Sequence, residues 1–72
     1  MTKTATIEVR INGKDRKISR DLSISDLLQS FDLNPSLVVV ELNGEILKRE
    51  LYNETLVREA DVLELVHFVG GG

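Results

Sequence analysis

The residues of this 72-residue chain with the clearest chemical potential are its last three, Gly70, Gly71 and Gly72. They follow Val66-His67-Phe68-Val69, a run of strand character, and glycine weakens a strand. The expectation is an ordered body over residues 1–69 and a flexible glycine tail over 70–72. Lacking Cβ atoms, such a tail is thin enough to thread a narrow channel and can bend to fit the site it enters. Its terminal carboxylate, with a pKa of roughly 3.5, is ionised at neutral pH. A carboxylate is a poor electrophile. It accepts a nucleophile only after activation, for example as a mixed anhydride with AMP. The chemistry open to the tail is therefore that of a carrier whose reacting group is the carboxyl of Gly72. A frayed end without a role is the alternative that the glycines by themselves leave open.

No other set of residues competes for a chemical role. There is no cysteine, which excludes a disulfide, a thiolate metal site and a thiol nucleophile and suits a reducing cytoplasm. One histidine without cysteine makes no structural zinc site. The chain has no Ser-His-Asp set and no phosphate-cradling glycine loop leading into a helix. The formal charge of −3 weighs against nucleic acid as the main partner. Met1-Thr2-Lys3-Thr4 opens no apolar signal region, and no stretch is long and apolar enough to span a membrane.

The length specifies one small domain that must position the tail. Thr4 to Ile11 alternates, with Ala5, Ile7, Val9 and Ile11 on one side and Thr6, Glu8 and Arg10 on the other, the period of a half-buried strand. Asn12-Gly13 predicts a tight hairpin turn. The return strand, Arg16 to Ser19, has only Ile18 for the core and reads as a basic edge strand. The period then changes: Ile24, Leu27, Leu28 and Phe31 make one helix face. Ser23 and Asp26 resemble a capping box, and Leu22 with Leu27 a hydrophobic staple. The helix should end near Phe31, before Asn34-Pro35.

Leu37 to Leu42 is a strand with Val38, Val40 and Leu42 inward and Val39 and Glu41 outward. Asn43-Gly44 turns it into a short return strand, Glu45 to Leu47. Lys48 to Leu56 has no clean period, and Leu51, Tyr52 and Leu56 are the expected anchors of this loop. After a turn at Glu59-Ala60-Asp61 the last strand, Val62 to Val69, points Leu63 and Leu65 at the helix and Glu64, Val66 and Phe68 away from it. His67 falls on the core side near the strand's end and is expected to be a partly covered packing residue. Val66 and Phe68, joined by Val39 if its strand is adjacent, form either an exposed docking patch or a small cluster under a loop. Charge is uneven as well. Lys14, Arg16, Lys17 and Arg20 gather early, whereas from Leu37 onward Glu41, Glu45, Glu50, Glu54, Glu59, Asp61 and Glu64 outnumber the bases. An acidic face could steer the tail towards a basic partner.

One helix and five strands predict an α+β domain, a single sheet with the helix across one face. This order of elements and the closing glycines resemble the ubiquitin-like β-grasp sulfur carriers of the MoaD/ThiS superfamily. More narrowly they resemble the ThiS family of thiamine biosynthesis. The resemblance is carried by Ile11-Asn12-Gly13, by Val40-Glu41-Leu42-Asn43-Gly44-Glu45-Ile46, by the turn ending in Asp61 and by Leu63-Glu64-Leu65-Val66-His67-Phe68-Val69-Gly70-Gly71-Gly72.

The resemblance implies a mixed sheet of four to five strands with the first and last parallel and central. It implies a protein co-substrate rather than an enzyme, monomeric when free, cytoplasmic, and with no bound cofactor. A ThiF-type adenylyltransferase would use ATP to convert Gly72 to an acyl-adenylate. Sulfur from a cysteine desulfurase or another donor would replace AMP, giving a Gly72 thiocarboxylate that thiazole synthase consumes. Gly70 and Gly71 would enter the partners' active sites, and Val39, Val66 and Phe68 would be the docking patch. The terminal diglycine is shared with molybdopterin-synthase small subunits and with ubiquitin. A carrier for molybdopterin, cysteine or tRNA thiolation, and a ubiquitin-like modifier or interaction domain, therefore remain alternatives. One departure is Ala60, where family members often carry glycine; a turn needing φ > 0 there would be strained.

Overall fold

The computed structural model describes residues 5–68. Five strands, β1 (Thr6–Ile11), β2 (Lys14–Ser19), β3 (Val38–Leu42), β4 (Glu45–Ile46) and β5 (Val62–His67), form one sheet in the order β2-β1-β5-β3-β4. β1 and β5 are parallel; the other neighbouring pairs are antiparallel. Thr4 and Val69, the outermost residues of the expected first and last strands, lie outside the described residues. One α-helix, α1 (Ile24–Ser30), covers one face.

The two Asn-Gly turns close their hairpins as read. Asn12 and Gly13 have φ of 51° and 82°, Asn43 and Gly44 of 51° and 89°, the left-handed pair that matches strand twist. The core lies between α1 and the inner sheet face. Ile24, Leu27 and Leu28 are fully buried against Val9, Ile11, Val38, Val40 and Leu63. Each of these helix residues contributes about 1.5–3 kcal/mol of transfer free energy before chain entropy is charged.

Both ends of α1 are satisfied, the C-terminal end by local sequence and the N-terminal end only in part. The Ser23 hydroxyl accepts from the Asp26 N–H at 3.0 Å and the Asp26 carboxylate from the Ser23 N–H at 3.2 Å. The remaining first-turn donors reach the irregular segment after β4: Ile24 N–H bonds the Thr55 carbonyl and Ser25 N–H that of Tyr52. That segment holds one short 3-10 turn, Arg49–Leu51. Its anchors differ from those expected. Tyr52 is buried, with its hydroxyl donating to the Val38 carbonyl at 2.8 Å, but Leu51 and Leu56 are exposed and Val57 is buried in their place. At the other end, Leu33 N–H bonds the Leu28 carbonyl and Asp32 N–H that of Gln29, a Schellman closure with Asp32 at φ 60° in the usual glycine position. The helix therefore stops at its own left-handed residue, and Pro35 instead begins the following 3-10 turn, Pro35–Leu37.

The turn before β5 confirms the strain expected there. Ala60 has φ 71°, and its N–H bonds the Glu8 carbonyl at 2.7 Å. Asp61 supports the turn by accepting from the Arg58 N–H at 2.8 Å.

Candidate functional site

The group expected to react, the carboxyl of Gly72, lies outside the described residues, as do Gly70 and Gly71. What the structure shows is how the strand leading to them is held. β5 is the central strand. On its β1 side the backbone ladder runs only to Ile11 opposite Leu63. There the Asn12 amide takes over. Its Oδ1 accepts from the Leu65 N–H at 2.7 Å and its Nδ2 donates to the Leu65 carbonyl at 3.3 Å, so one side chain extends the ladder past the turn. On the β3 side, Asn43 acts at the strand's start. Its Oδ1 accepts from the Val62 N–H at 2.9 Å, and its Nδ2 donates to Asp61 Oδ1 at 3.0 Å. Both asparagines can do this because a left-handed turn residue needs no part of its side chain to form the turn. Sequence reasoning took them as turn formers only.

The second feature is the outer sheet face, which no described element covers. Val39 stands directly opposite Val66, and Phe68 N–H bonds the Leu37 carbonyl at 2.8 Å, which keeps Phe68 beside β3. Val66 is 52% and Phe68 53% exposed, while Val39 is half-buried. Of the two readings open in the sequence, the exposed patch is the one found. It is larger than expected. Val62 shares the parity of Val66 and is exposed, and Ile46, paired with Glu41, is 67% exposed on the same face. The parity of Val62 was available in the sequence. The side taken by Ile46 was not, because it depends on the register of a two-residue strand.

Among these apolar groups Glu41 stands directly opposite Glu64. Like charges in that relation destabilise a sheet. The isolated domain thus carries an apolar patch and an unfavourable acidic pair side by side, a surface that gains from a partner offering apolar and basic groups.

His67 is corrected. It lies on the inner parity as read, but it is exposed, because α1 ends short of this part of the sheet. Among the described residues no group of three or more His, Cys, Asp or Glu side chains could hold a metal ion, and no helix is long and apolar enough to cross a membrane.

Comparison with known proteins agrees with this architecture. The model of the ThiS family matches residues 9–72. The chain is 48% identical over 65 residues to the sulfur carrier protein ThiS of Bacillus subtilis (strain 168), covering 89% of this chain and 98% of that protein. It is also 37% identical over 62 residues to a thiazole synthase of Paramagnetospirillum magneticum, covering 86% of this chain but 19% of that protein. Among solved structures, the thiamine biosynthesis protein (ThiS) of Geobacter metallireducens superposes with a TM-score of 0.77 at 35% identity, over 92% of this chain and 100% of that one. The five-stranded mixed sheet with one helix is the β-grasp of these relatives, and the chain belongs to the ThiS family, the sulfur carrier proteins of thiamine biosynthesis, which are carriers and not enzymes.

Proposed function

We propose that the sulfur is carried on Gly72 and that β5 is the rigid mount from which Gly70–Gly72 are presented to successive enzymes. In the first step a Gly72 carboxylate oxygen attacks the α-phosphorus of ATP, pyrophosphate leaves, and the product is an acyl-adenylate. A hydrosulfide equivalent then adds to the activated carbonyl, AMP leaves with the oxygen it received, and a proton is released. The product is the Gly72 thiocarboxylate. ATP belongs to a ThiF-type adenylyltransferase, and the sulfur comes either from a sulfide donor or from the persulfide of a cysteine desulfurase, which a thiol reductant brings to the hydrosulfide level by two-electron reduction; the chain itself needs no cofactor. Thiazole synthase takes the sulfur in the last step. Support for that partner comes from the thiazole synthase relative, in which a segment similar to this chain occupies about a fifth of the polypeptide. The cytoplasm, where these enzymes and a cysteine-free carrier share reducing conditions, is the compartment this reading requires.

The observation that carries the reading is the family match through Gly72, joined to a central strand that exposes Val66, with Phe68 exposed just past its end and two residues before Gly70. Val39, Val66 and Phe68 are read as the docking patch for the adenylating enzyme, with Val62 and Ile46 extending it. The test is the intact mass of the chain after incubation with ATP, a sulfide source and the adenylating enzyme. The expected result is a gain equal to exchanging one oxygen for one sulfur, localised to Gly72 by fragmentation. An unmodified mass with an enzyme that thiolates another carrier would refute it.

A further inference from the structure

The inner face of the sheet has its own surface that no described element covers, on the opposite side from the patch. Beyond the end of α1, a groove of about 360 Å³ is floored by Phe31, Leu33 and Leu65 and edged by Lys14, Arg16 and His67. It is built by register. Lys14 stands opposite Ile11 and Arg16 opposite Val9, so both bases project to the inner face beyond the reach of the core. The Arg16 guanidinium lies over the Phe31 ring, 5.2 Å from its centroid, and leans on the groove floor. Neither Lys14 nor Arg16 has a carboxylate partner among the described residues, and no carboxylate lines the groove; Asp32 lies in the adjoining turn, outside the lining. In a chain of net charge −3, this is a local concentration of unneutralised positive charge around an apolar floor.

The same place offers backbone groups. The residues of β5 that point their N–H and C=O towards β3 are those in phase with Phe68, which bonds Leu37. Leu63 and Leu65 point theirs the other way, to Asn12. His67 is in phase with Leu65, two residues beyond the last contact on that side. Its N–H and C=O therefore sit at a strand edge that β1 has already left.

We propose that this groove is a second docking surface, and that it takes an extended, acidic segment of a protein partner. The segment adds as a short strand along His67, sets an apolar side chain on Phe31, Leu33 and Leu65, and places carboxylates on Lys14 and Arg16. Main-chain pairing supplies affinity, and the apolar floor with its basic rim supplies selectivity. The groove rests on no step of the sulfur chemistry, so either reading can fail alone. Because groove and patch lie on opposite faces, one partner can hold the domain by one while the other stays free.

The probe is the acetylated, amidated peptide Asp-Val-Glu-Ile-Asp-Val-Glu, titrated into the full ¹⁵N-labelled chain and followed by amide chemical shifts. The expected result is saturable shifts at Asn12, Lys14, Phe31 and His67. The double variant Lys14→Glu/Arg16→Glu should bind about fivefold more weakly, as two part-exposed ion pairs allow, and added salt should weaken the parent complex. If that variant does not keep a native spectrum, Arg16→Gln makes the same comparison with the side-chain stem largely retained. Three results would overturn the proposal: no saturable shifts, shifts centred on Val39, Val66 and Phe68, or the same shifts produced by inorganic phosphate, which would make the groove a small-anion site.

Discussion

Replacing Asn12 by glycine separates the turn from the clamp. Glycine keeps the left-handed φ of 51° at no steric cost, so the hairpin survives, but the amide that holds Leu65 is lost. Two hydrogen bonds disappear. The one at 2.7 Å is worth about 1 kcal/mol and the one at 3.3 Å about 0.5 kcal/mol, since water reaches the exposed edge and partly replaces both. Glycine also adds unfolded-chain entropy, which costs about 0.5 kcal/mol net of the relieved left-handed conformation. The domain should therefore lose about 2 kcal/mol. With a urea slope of about 1 kcal/mol/M, the midpoint falls by about 2 M.

The decisive readout is residue-specific. Native-state hydrogen exchange at the Leu65 amide should accelerate far more than at Val66, whose pairing with Val39 is untouched. If the Leu65 amide keeps its protection relative to Val66 in the Asn12→Gly chain, the clamp is not what holds this part of β5, and the reasoning fails.

Other substitutions probe the remaining features. Ala60→Gly removes the Cβ at φ 71° and should stabilise the domain by about 0.5–1 kcal/mol after the entropy of glycine is subtracted, raising Tm by about 2–8 °C; an unchanged or lower Tm would refute the strain. Phe68→Asp should weaken binding to the adenylating enzyme by about tenfold or more in calorimetric titration while Tm stays close to the parent value, because the side chain is 53% exposed. Glu64→Lys turns a like-charge pair into an opposite one. It should add about 0.5 kcal/mol to stability, read by urea unfolding, and slow association with a basic partner at low salt, read by stopped flow. Deleting Gly72 should abolish the oxygen-to-sulfur mass gain; retained transfer would sink the mechanism.

Elements set by short-range rules were legible in the sequence. The Asn-Gly turns need only two residues that tolerate positive φ, and the face of α1 and its Ser23 cap need only a spacing. The sides taken by Val39, Val66 and Phe68 followed from alternation alone. What was not legible depended on groups far apart in the chain. Asn12 meets Leu65 across 53 positions, and no local pattern distinguishes an asparagine that only turns from one that also clamps. The segment after β4 has no period because its carbonyls serve the N–H groups of Ile24 and Ser25. Its buried residues, Tyr52 and Val57, are placed by that duty and not by a face of their own. His67 was misread for a related reason: strand parity gives the side, but only the length of α1 tells where the cover ends.

The arrangement around β5 resolves a conflict that the proposed presentation of the terminus to partners would create. A surface sticky enough to dock invites self-association, and an exposed strand edge invites pairing with another chain. Here the strand leading to the glycines is central, and the outer edges are a basic β2 and a two-residue β4, poor templates for pairing. On the outer side the apolar surface is confined to a face, where Val39, Val62, Val66 and Phe68 surround Glu41 and Glu64. If two copies met through that face about a two-fold axis centred on the acidic pair, four carboxylates would be brought together in a desolvated contact, a cost of several kcal/mol that the apolar area would have to overcome. A partner carrying a base opposite the pair meets no such cost and relieves the repulsion already present. The energetic penalty that Glu41 and Glu64 impose on the free domain is thus consistent with selectivity: it discriminates against another copy of the same chain and in favour of a surface of opposite charge.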